Sequence, residues 1–313
     1  MNILKPPHIM PGDTFGIIAP ASPVADHAKI DRGVRYLEGL GYRVKLGKEH
    51  TKVHGYLAGT DRERVNDLHD MFRDRSVKAV LCARGGYGTP RLLSMIDYAL
   101  IRRNPKLFIG FSDITALHMA LWKKCRLVTF HGPMLATDMA DGIDPLTEQW
   151  FWDLLTSGKP PREVVIPPDV VPERLRSGKA RGYLLGGNLS LLAALVGTPF
   201  LPDFRGSVLF VEEIGEEPYR VDRMLQQLIL GKVLHSTRGL LWGQFTDCSP
   251  KDPSLPSLSV TDLLHEVSRQ HKVPSLANLP FGHIGRKMTI PVGVRCQLDA
   301  DAKKLSFLEP AVR

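Results

Sequence analysis

The sequence predicts an α/β fold in two domains, 1–156 and 180–313, joined by a linker over 157–179. Three observations carry that reading. Apolar runs of strand length alternate with stretches of helical period through residues 13–130. Residues 157–179 hold little periodicity and gather turn formers, Ser157-Gly158-Lys159-Pro160-Pro161 and Pro167-Pro168. Beyond them, apolar segments resume at Gly182.

The elements follow in order. Asp13 to Ala19 reads as a strand leading into the turn Pro20-Ala21-Ser22-Pro23. Ile30, Val34 and Leu37 mark a helix that Gly41 stops, and Tyr42 to Leu46 is a short strand. Thr60-Asp61-Arg62-Glu63 is a capping box, and Val65, Leu68 and Phe72 give its helix a buried stripe. Val77 to Cys82 is a strand that runs into Arg84-Gly85-Gly86-Tyr87-Gly88, and Arg91 to Leu100 is helical. Leu107, Phe108 and Ile109 form a buried strand ended by Gly110. Ile114, Leu117 and Leu121 then recur at helical spacing, and Leu127 to Phe130 is a further strand. Such alternation implies a parallel sheet with helices on both faces, whose ligands sit at the carboxyl ends of the strands. In the second domain, Gly182 to Asn188 lead into a short apolar helix reaching Val196, and Val208 to Val211 is a strand ending at Glu212-Glu213. Val221, Met224, Leu225, Leu228 and Ile229 line an amphipathic helix, and Gly239 to Trp242 and Arg295 to Leu298 are strands.

Bulk properties exclude several classes. The chain has 313 residues, 43% of them hydrophobic, enough for real cores. No run reaches bilayer-spanning length, and Met-Asn-Ile-Leu-Lys-Pro-Pro-His lacks the apolar core of a secretory signal. Cys82, Cys125, Cys248 and Cys296 are scattered singly, which fits free thiols in a reducing cytosol and argues against zinc or disulfide-exchange chemistry. The net charge of +8 is spread along the chain rather than interleaved with aromatics, so no nucleic acid is expected as a partner; the charge suits an acidic small substrate.

Chemistry is concentrated at Ser112. It lies on a sharp strand-to-helix turn, which lifts a side-chain oxygen out of the sheet and aims the following N–H groups above it. Gly110 supplies the first glycine of a nucleophile elbow, while Ile114 stands where the second would be. The segment alone equally fits a serine that caps the helix. A serine nucleophile needs a base that is itself oriented. His131, just after a strand, and His283, in a glycine-flanked loop, both have suitable context, whereas His118 falls within a helix. Glu212 is the carboxylate candidate, because it ends a buried strand and needs a partner there; alternation turns Glu213 to the opposite face. Asp113 and Gly86 are the natural N–H donors for an oxyanion. The run from Arg84 to Gly88 matches no nucleotide-binding pattern.

Together these segments resemble the LD-carboxypeptidase family of serine peptidases, the muramoyltetrapeptide carboxypeptidases. The resemblance runs from Gly12-Asp13 and Ile18 to Ser22 through Ala58-Gly59-Thr60-Asp61 with Arg64, then Ala83 to Gly88 and Gly110 to Leu117. It continues with His131-Gly132-Pro133, Gly186 to Leu189, Glu212 to Glu216 with Tyr219-Arg220-Asp222-Arg223, Gly282-His283 and Pro291-Val292-Gly293. It implies an N-terminal three-layer domain similar to class I glutamine amidotransferases and a smaller β-rich C-terminal domain. It also implies Ser112 as nucleophile, His283 as base, Glu212 as the residue orienting it, and Gly86 and Asp113 as the oxyanion hole. One departure is Glu213, where the family pattern has Asp. The implied reaction is hydrolysis of the amide between an L-centre and a C-terminal D-alanine in murein tetrapeptide, by a cytoplasmic homodimer that needs no metal or cofactor and touches no membrane. Arg84 is the candidate cation for the terminal carboxylate, although an arginine beside a glycine turn can equally brace that turn. Related enzymes of the family cleave peptide-nucleotide antibiotics as self-immunity proteins. Outside the family, the alternatives are a non-catalytic anion-binding protein and an esterase of the α/β-hydrolase type.

Overall fold

The protein is described here by a computed structural model covering residues 2–159, 164, 166–167 and 169–313. In the first half, β1 (Thr14–Ile18), β2 (Arg43–Leu46), β3 (Val77–Cys82), β4 (Leu107–Gly110) and β5 (Thr129–His131) alternate with helices. Those helices are α1 (His27–Gly39), α2 (Asp61–Arg73), α3 (Tyr98–Arg103) and α4 (Thr115–Cys125), and α5 (Pro145–Thr156) follows β5. The second half holds β6 (Glu173–Arg176), β7 (Lys179–Asn188), α6 (Leu189–Leu195), β8 (Ser207–Ile214), α7 (Pro218–Leu230), β9 (Gly239–Thr246), α8 (Val260–His271) and β10 (Ser275–Ala277). Strands β11 (Ile290–Val292), β12 (Arg295–Asp299) and β13 (Lys304–Phe307) close the chain.

Local chemistry explains most boundaries. The Thr60–Glu63 capping box forms as the sequence predicts, with Glu63 accepting from the Thr60 N–H and Thr60 accepting from the Glu63 N–H. One expectation fails: residues 91–100 are not a continuous helix. A 3-10 turn at Thr89–Leu92 stops, and α3 starts afresh at Tyr98. Asp97 causes the break. Its side chain accepts from the Leu100 N–H at 2.9 Å, an N-cap that competes with helix continuation, and its own N–H donates to the His69 ring.

The first sheet has the order β11-β5-β4-β3-β1-β2. It is parallel from β2 to β5, as alternation requires, but β11 adds an antiparallel edge that the sequence reading did not foresee. That edge comes from the second half of the chain, so the sheet whose strand β4 leads to Ser112 is completed by a C-terminal strand. The second sheet runs β13-β12-β7-β8-β9-β10-β6, parallel from β7 through β10 and antiparallel elsewhere. Part of the expected linker, 157–179, lies outside the described residues; within the rest, Val164 donates to the Leu305 carbonyl and Glu173–Arg176 forms β6.

Helix α4 joins the two sheets. Thr115 to Trp122 are all buried, which accounts for its lack of a polar face. Its Trp122 ring lies 5.5 Å from Tyr183 of β7, and the Thr115 Oγ1 accepts from the Asn188 N–H at the end of β7. The carboxyl ends of β4 and of β7–β8 therefore share a neighbourhood. Ile290, fully buried on β11, tests this joint: Ile290→Ala is expected to lower stability by about 3 kcal/mol in urea unfolding, whereas a near-zero loss would mean that β11 is dispensable to the sheet.

Candidate active site

Strand β4 delivers the chain to Phe111, which is extended, and then to Ser112, whose φ is +64°. A serine in the left-handed region costs about 1–2 kcal/mol, so the surrounding contacts must hold it there. They do so from both sides. Thr89 donates its N–H to the Asp113 carboxylate at 2.9 Å and its hydroxyl to the Asp113 carbonyl at 2.6 Å. His118, fully buried one helical turn on, bonds the Gly110 carbonyl through Nε2 at 2.7 Å and Thr129 Oγ1 through Nδ1 at 2.8 Å. The carbonyl can only accept, so Nε2 carries the proton and Nδ1 accepts from the threonine hydroxyl. Burial pushes the His118 pKa down to about 4. Burial also pushes the Asp113 carboxyl up, against the Thr89 hydrogen bonds that favour its charge.

The loop after β3 lies against this elbow. A Cβ on Gly85 would sit 3.0 Å from the Ser112 Cβ and 3.2 Å from its Oγ, so a larger residue would press on the side chain that carries the hydroxyl. Gly86 follows with φ +110°, a conformation open to glycine, and among the described residues its N–H has no acceptor. Arg64 braces the loop from behind: buried in α2, it donates to the Pro20 and Gly88 carbonyls and to Asp61.

Glu212, wholly buried near the end of β8, accepts from His283 Nδ1 at 2.7 Å. A carboxylate on Nδ1 fixes the proton there and leaves Nε2 free to accept, the arrangement a general base requires. Gly282, with φ +116°, is glycine because a Cβ there would meet Glu212 Oε2 at 3.0 Å. The Thr246 hydroxyl at the end of β9 holds the His283 carbonyl at 3.0 Å. Glu213 points the other way, as strand alternation demands, accepting from Asn188, Ser190 and the Ile214 N–H. Burial pushes its carboxyl up, and those donors offset part of the rise. The His283 ring rests against Phe111 with centroids 5.0 Å apart, which brings the imidazole beside the residue preceding Ser112.

The other candidates are placed differently. His131 is 2% exposed beneath the elbow, against Phe111 and Phe210, and neither ring nitrogen has a partner. Burial drives its pKa well below the ordinary value, with His118, His283 and Lys287 adding to the effect. Arg84 donates Nη1 to the Pro23 carbonyl at 3.2 Å, while its Nε is buried without a partner. Thr89 and Asn188 are supports that the sequence reading missed. Asn188 lies within the Gly186 to Leu189 motif and Thr89 just after the Ala83 to Gly88 motif, but the partners that make them supports lie far along the chain. A cavity of about 450 Å³, lined by Glu217, Tyr219, Asp222, Lys251 and Leu255 among others, opens where β8 and β9 leave the second sheet.

Both halves of the chain match known proteins. Residues 15–132 match the LD-carboxypeptidase N-terminal domain, and residues 181–298 match the LD-carboxypeptidase C-terminal domain. A probable murein peptide carboxypeptidase of Bacillus subtilis is 46% identical over 310 residues, 98% of this chain and 95% of that protein. The crystal structure of muramoyltetrapeptide carboxypeptidase from Oxalobacter formigenes superposes with a TM-score of 0.82 at 34% identity, covering 94% of this chain and 97% of that one. MccF in complex with glutamyl sulfamoyl guanosine, from the microcin C7 self-immunity system, superposes with a TM-score of 0.90 at 27% identity over 99% of this chain and 100% of that one. The chain belongs to the LD-carboxypeptidase family of serine peptidases.

The His118 brace has a pH signature. An unfolded imidazole takes up its proton below about pH 6.5, whereas the folded one resists until about 4, so its contribution is fully present above 6.5 and is lost as pH falls toward 4. His118→Gln keeps a donor to Gly110 without titrating. Urea unfolding at about pH 7 and about pH 4 is expected to show roughly 3 kcal/mol less acid destabilisation in the variant than in the parent. Equal losses would mean that His118 is protonated in the fold.

Proposed function

We propose that this protein is a serine carboxypeptidase that removes the C-terminal D-alanine from the L-centre of murein tetrapeptide during peptidoglycan recycling. The observation that carries this is the buried Glu212–His283 pair, whose imidazole packs on Phe111, the residue before a serine held at positive φ. Ser112 is the nucleophile, His283 the base and Glu212 the residue that fixes its tautomer. As Ser112 Oγ attacks the carbonyl carbon, His283 Nε2 takes its proton. Charge develops on the carbonyl oxygen, where the N–H groups of Gly86 and Asp113 receive it, each worth about 3 kcal/mol of barrier. The imidazolium, stabilised by Glu212, protonates the departing D-alanine amine. Water, deprotonated by the same imidazole, then resolves the acyl-enzyme.

The proposal has three further parts. Arg84, with Nε unpartnered and Nη2 close to Gly86, supplies the cation for the substrate's terminal carboxylate. The chain divides at 157–179 into a nucleophile-bearing unit and a unit carrying acid and base, and it acts as a cytoplasmic homodimer. Four buried free thiols, and helices none of which among the described residues is long and apolar enough to cross a membrane, are consistent with that setting.

A second reading has support of its own. The high structural similarity to MccF favours an amidase acting on a peptide-nucleotide with the same triad. Product analysis on tetrapeptide, pentapeptide and a peptide-nucleotide separates the two. D-alanine release from tetrapeptide is expected to dominate, and Ser112→Ala is expected to abolish it with the fold intact by circular dichroism. Preferred cleavage of the peptide-nucleotide would transfer the assignment to the second reading, and near-parental turnover by Ser112→Ala would remove Ser112 from the chemistry.

A further inference from the structure

We propose that Lys287 is a positioning residue for the triad: its ammonium, paired with Asp138 and seated on the ring of Phe111, holds the His283 loop against the Ser112 elbow. This rests on the reading of Ser112, His283 and Glu212 given above, and adds to it a group from outside the three.

Lys287 is 6% exposed, and lysine is rarely so buried without a partner. Its Nζ donates to Asp138 Oδ1. The other oxygen of Asp138 accepts from the Met134 N–H and the Thr137 hydroxyl, both at 2.8 Å, so the carboxylate cannot swing to follow a displaced lysine. The same Nζ lies 4.2 Å from the Phe111 ring centroid, within the range of a cation–π contact, which strengthens when desolvated. Phe111 is the residue before Ser112, and its ring also packs on His283. One aromatic ring thus reads the position of the base-bearing loop on behalf of the nucleophile turn.

The backbone around Lys287 is fastened to the same half of the molecule. Its N–H donates to Thr147 Oγ1 at 2.8 Å, and that hydroxyl donates to the Gly285 carbonyl at 3.2 Å. Thr147 lies near the start of α5, and Asp138 on the turn after β5, so both anchors belong to the nucleophile-bearing half. Stability alone is a weak reason for such a pair, since a buried ion pair often contributes little beyond an apolar substitute. The placement of the cation over Phe111 is what a packing role would not need.

The test uses the full chain with tetrapeptide as substrate and compares Lys287→Met, Lys287→Arg and the paired variant Lys287→Met/Asp138→Asn, with Ser112→Ala alongside. Lys287→Met is expected to lower kcat about tenfold to a hundredfold while KM stays within about twofold, the mark of misaligned groups rather than lost binding. The paired variant, which no longer buries a lone carboxylate, is expected to melt near the parent temperature yet stay equally slow; it carries the comparison if Lys287→Met does not fold. Lys287→Arg is expected to recover most of kcat. A paired variant with parental kcat, a loss confined to KM, or an arginine variant no faster than the methionine one would each overturn the proposal. Full turnover by Ser112→Ala would instead sink the triad reading, and this inference with it, so the two failures are distinguishable.

Discussion

The hydrogen bond between Glu212 and His283 is the constraint on which the site depends. A carboxylate with no solvent exposure at the end of a parallel strand would be costly without a partner, and one of its oxygens has only the imidazole. That need fixes the surrounding backbone. Gly282 must be glycine to pass within contact of the carboxylate, and the loop after it must return His283 to the sheet edge. The Thr246 hydroxyl donates to the carbonyl of that histidine, so β9 as well as β8 takes part in holding it. The register shift between Val211 and Glu213 falls at the same point, where β8 stops pairing regularly with β9 and turns Glu212 and Glu213 to separate tasks.

A pair on one sheet is of no use to a serine on another unless the sheets are locked together. Helix α4 provides the lock. It begins at the elbow, is buried along most of its length, and touches β7 at both ends through Thr115 and Trp122. Strand β11 adds the reverse link, carrying C-terminal residues into the N-terminal sheet beside β5. The chain after His283 enters that strand within a few residues, so the loop carrying His283 runs from the second sheet to the first. Contacts between Phe210 and His131 fill the space between the two.

Much of this could be read in the sequence, and the reasons are local. The strand ending at Gly110, the Thr60 capping box, the strand into Glu212 and the opposite facing of Glu213 all follow from periodicity and short-range hydrogen bonding. What escaped depends on distant partners. The break at Asp97 looked like helix because its cap, and the His69 that receives its backbone, are invisible to a periodicity argument. Strand β11 was missed because three residues containing a proline give no strand signal, and their pairing partner lies some 160 positions away. His131 and His283 were equal on context; the difference between them is burial, and only packing decides that. The resemblance to a known family implies His283 as the base, and of the two it is His283 whose Nδ1 meets the buried Glu212.

The central claim is that an imidazole oriented by Glu212 strips the proton from Ser112. The most direct measurement is the rate and site of reaction with a fluorophosphonate, followed by intact-protein mass spectrometry and peptide mapping in the parent and in His283→Ala. The account predicts a single adduct on Ser112, formed at least about a hundredfold more slowly without the histidine. An adduct on another residue, or an unchanged rate in the variant, would contradict it.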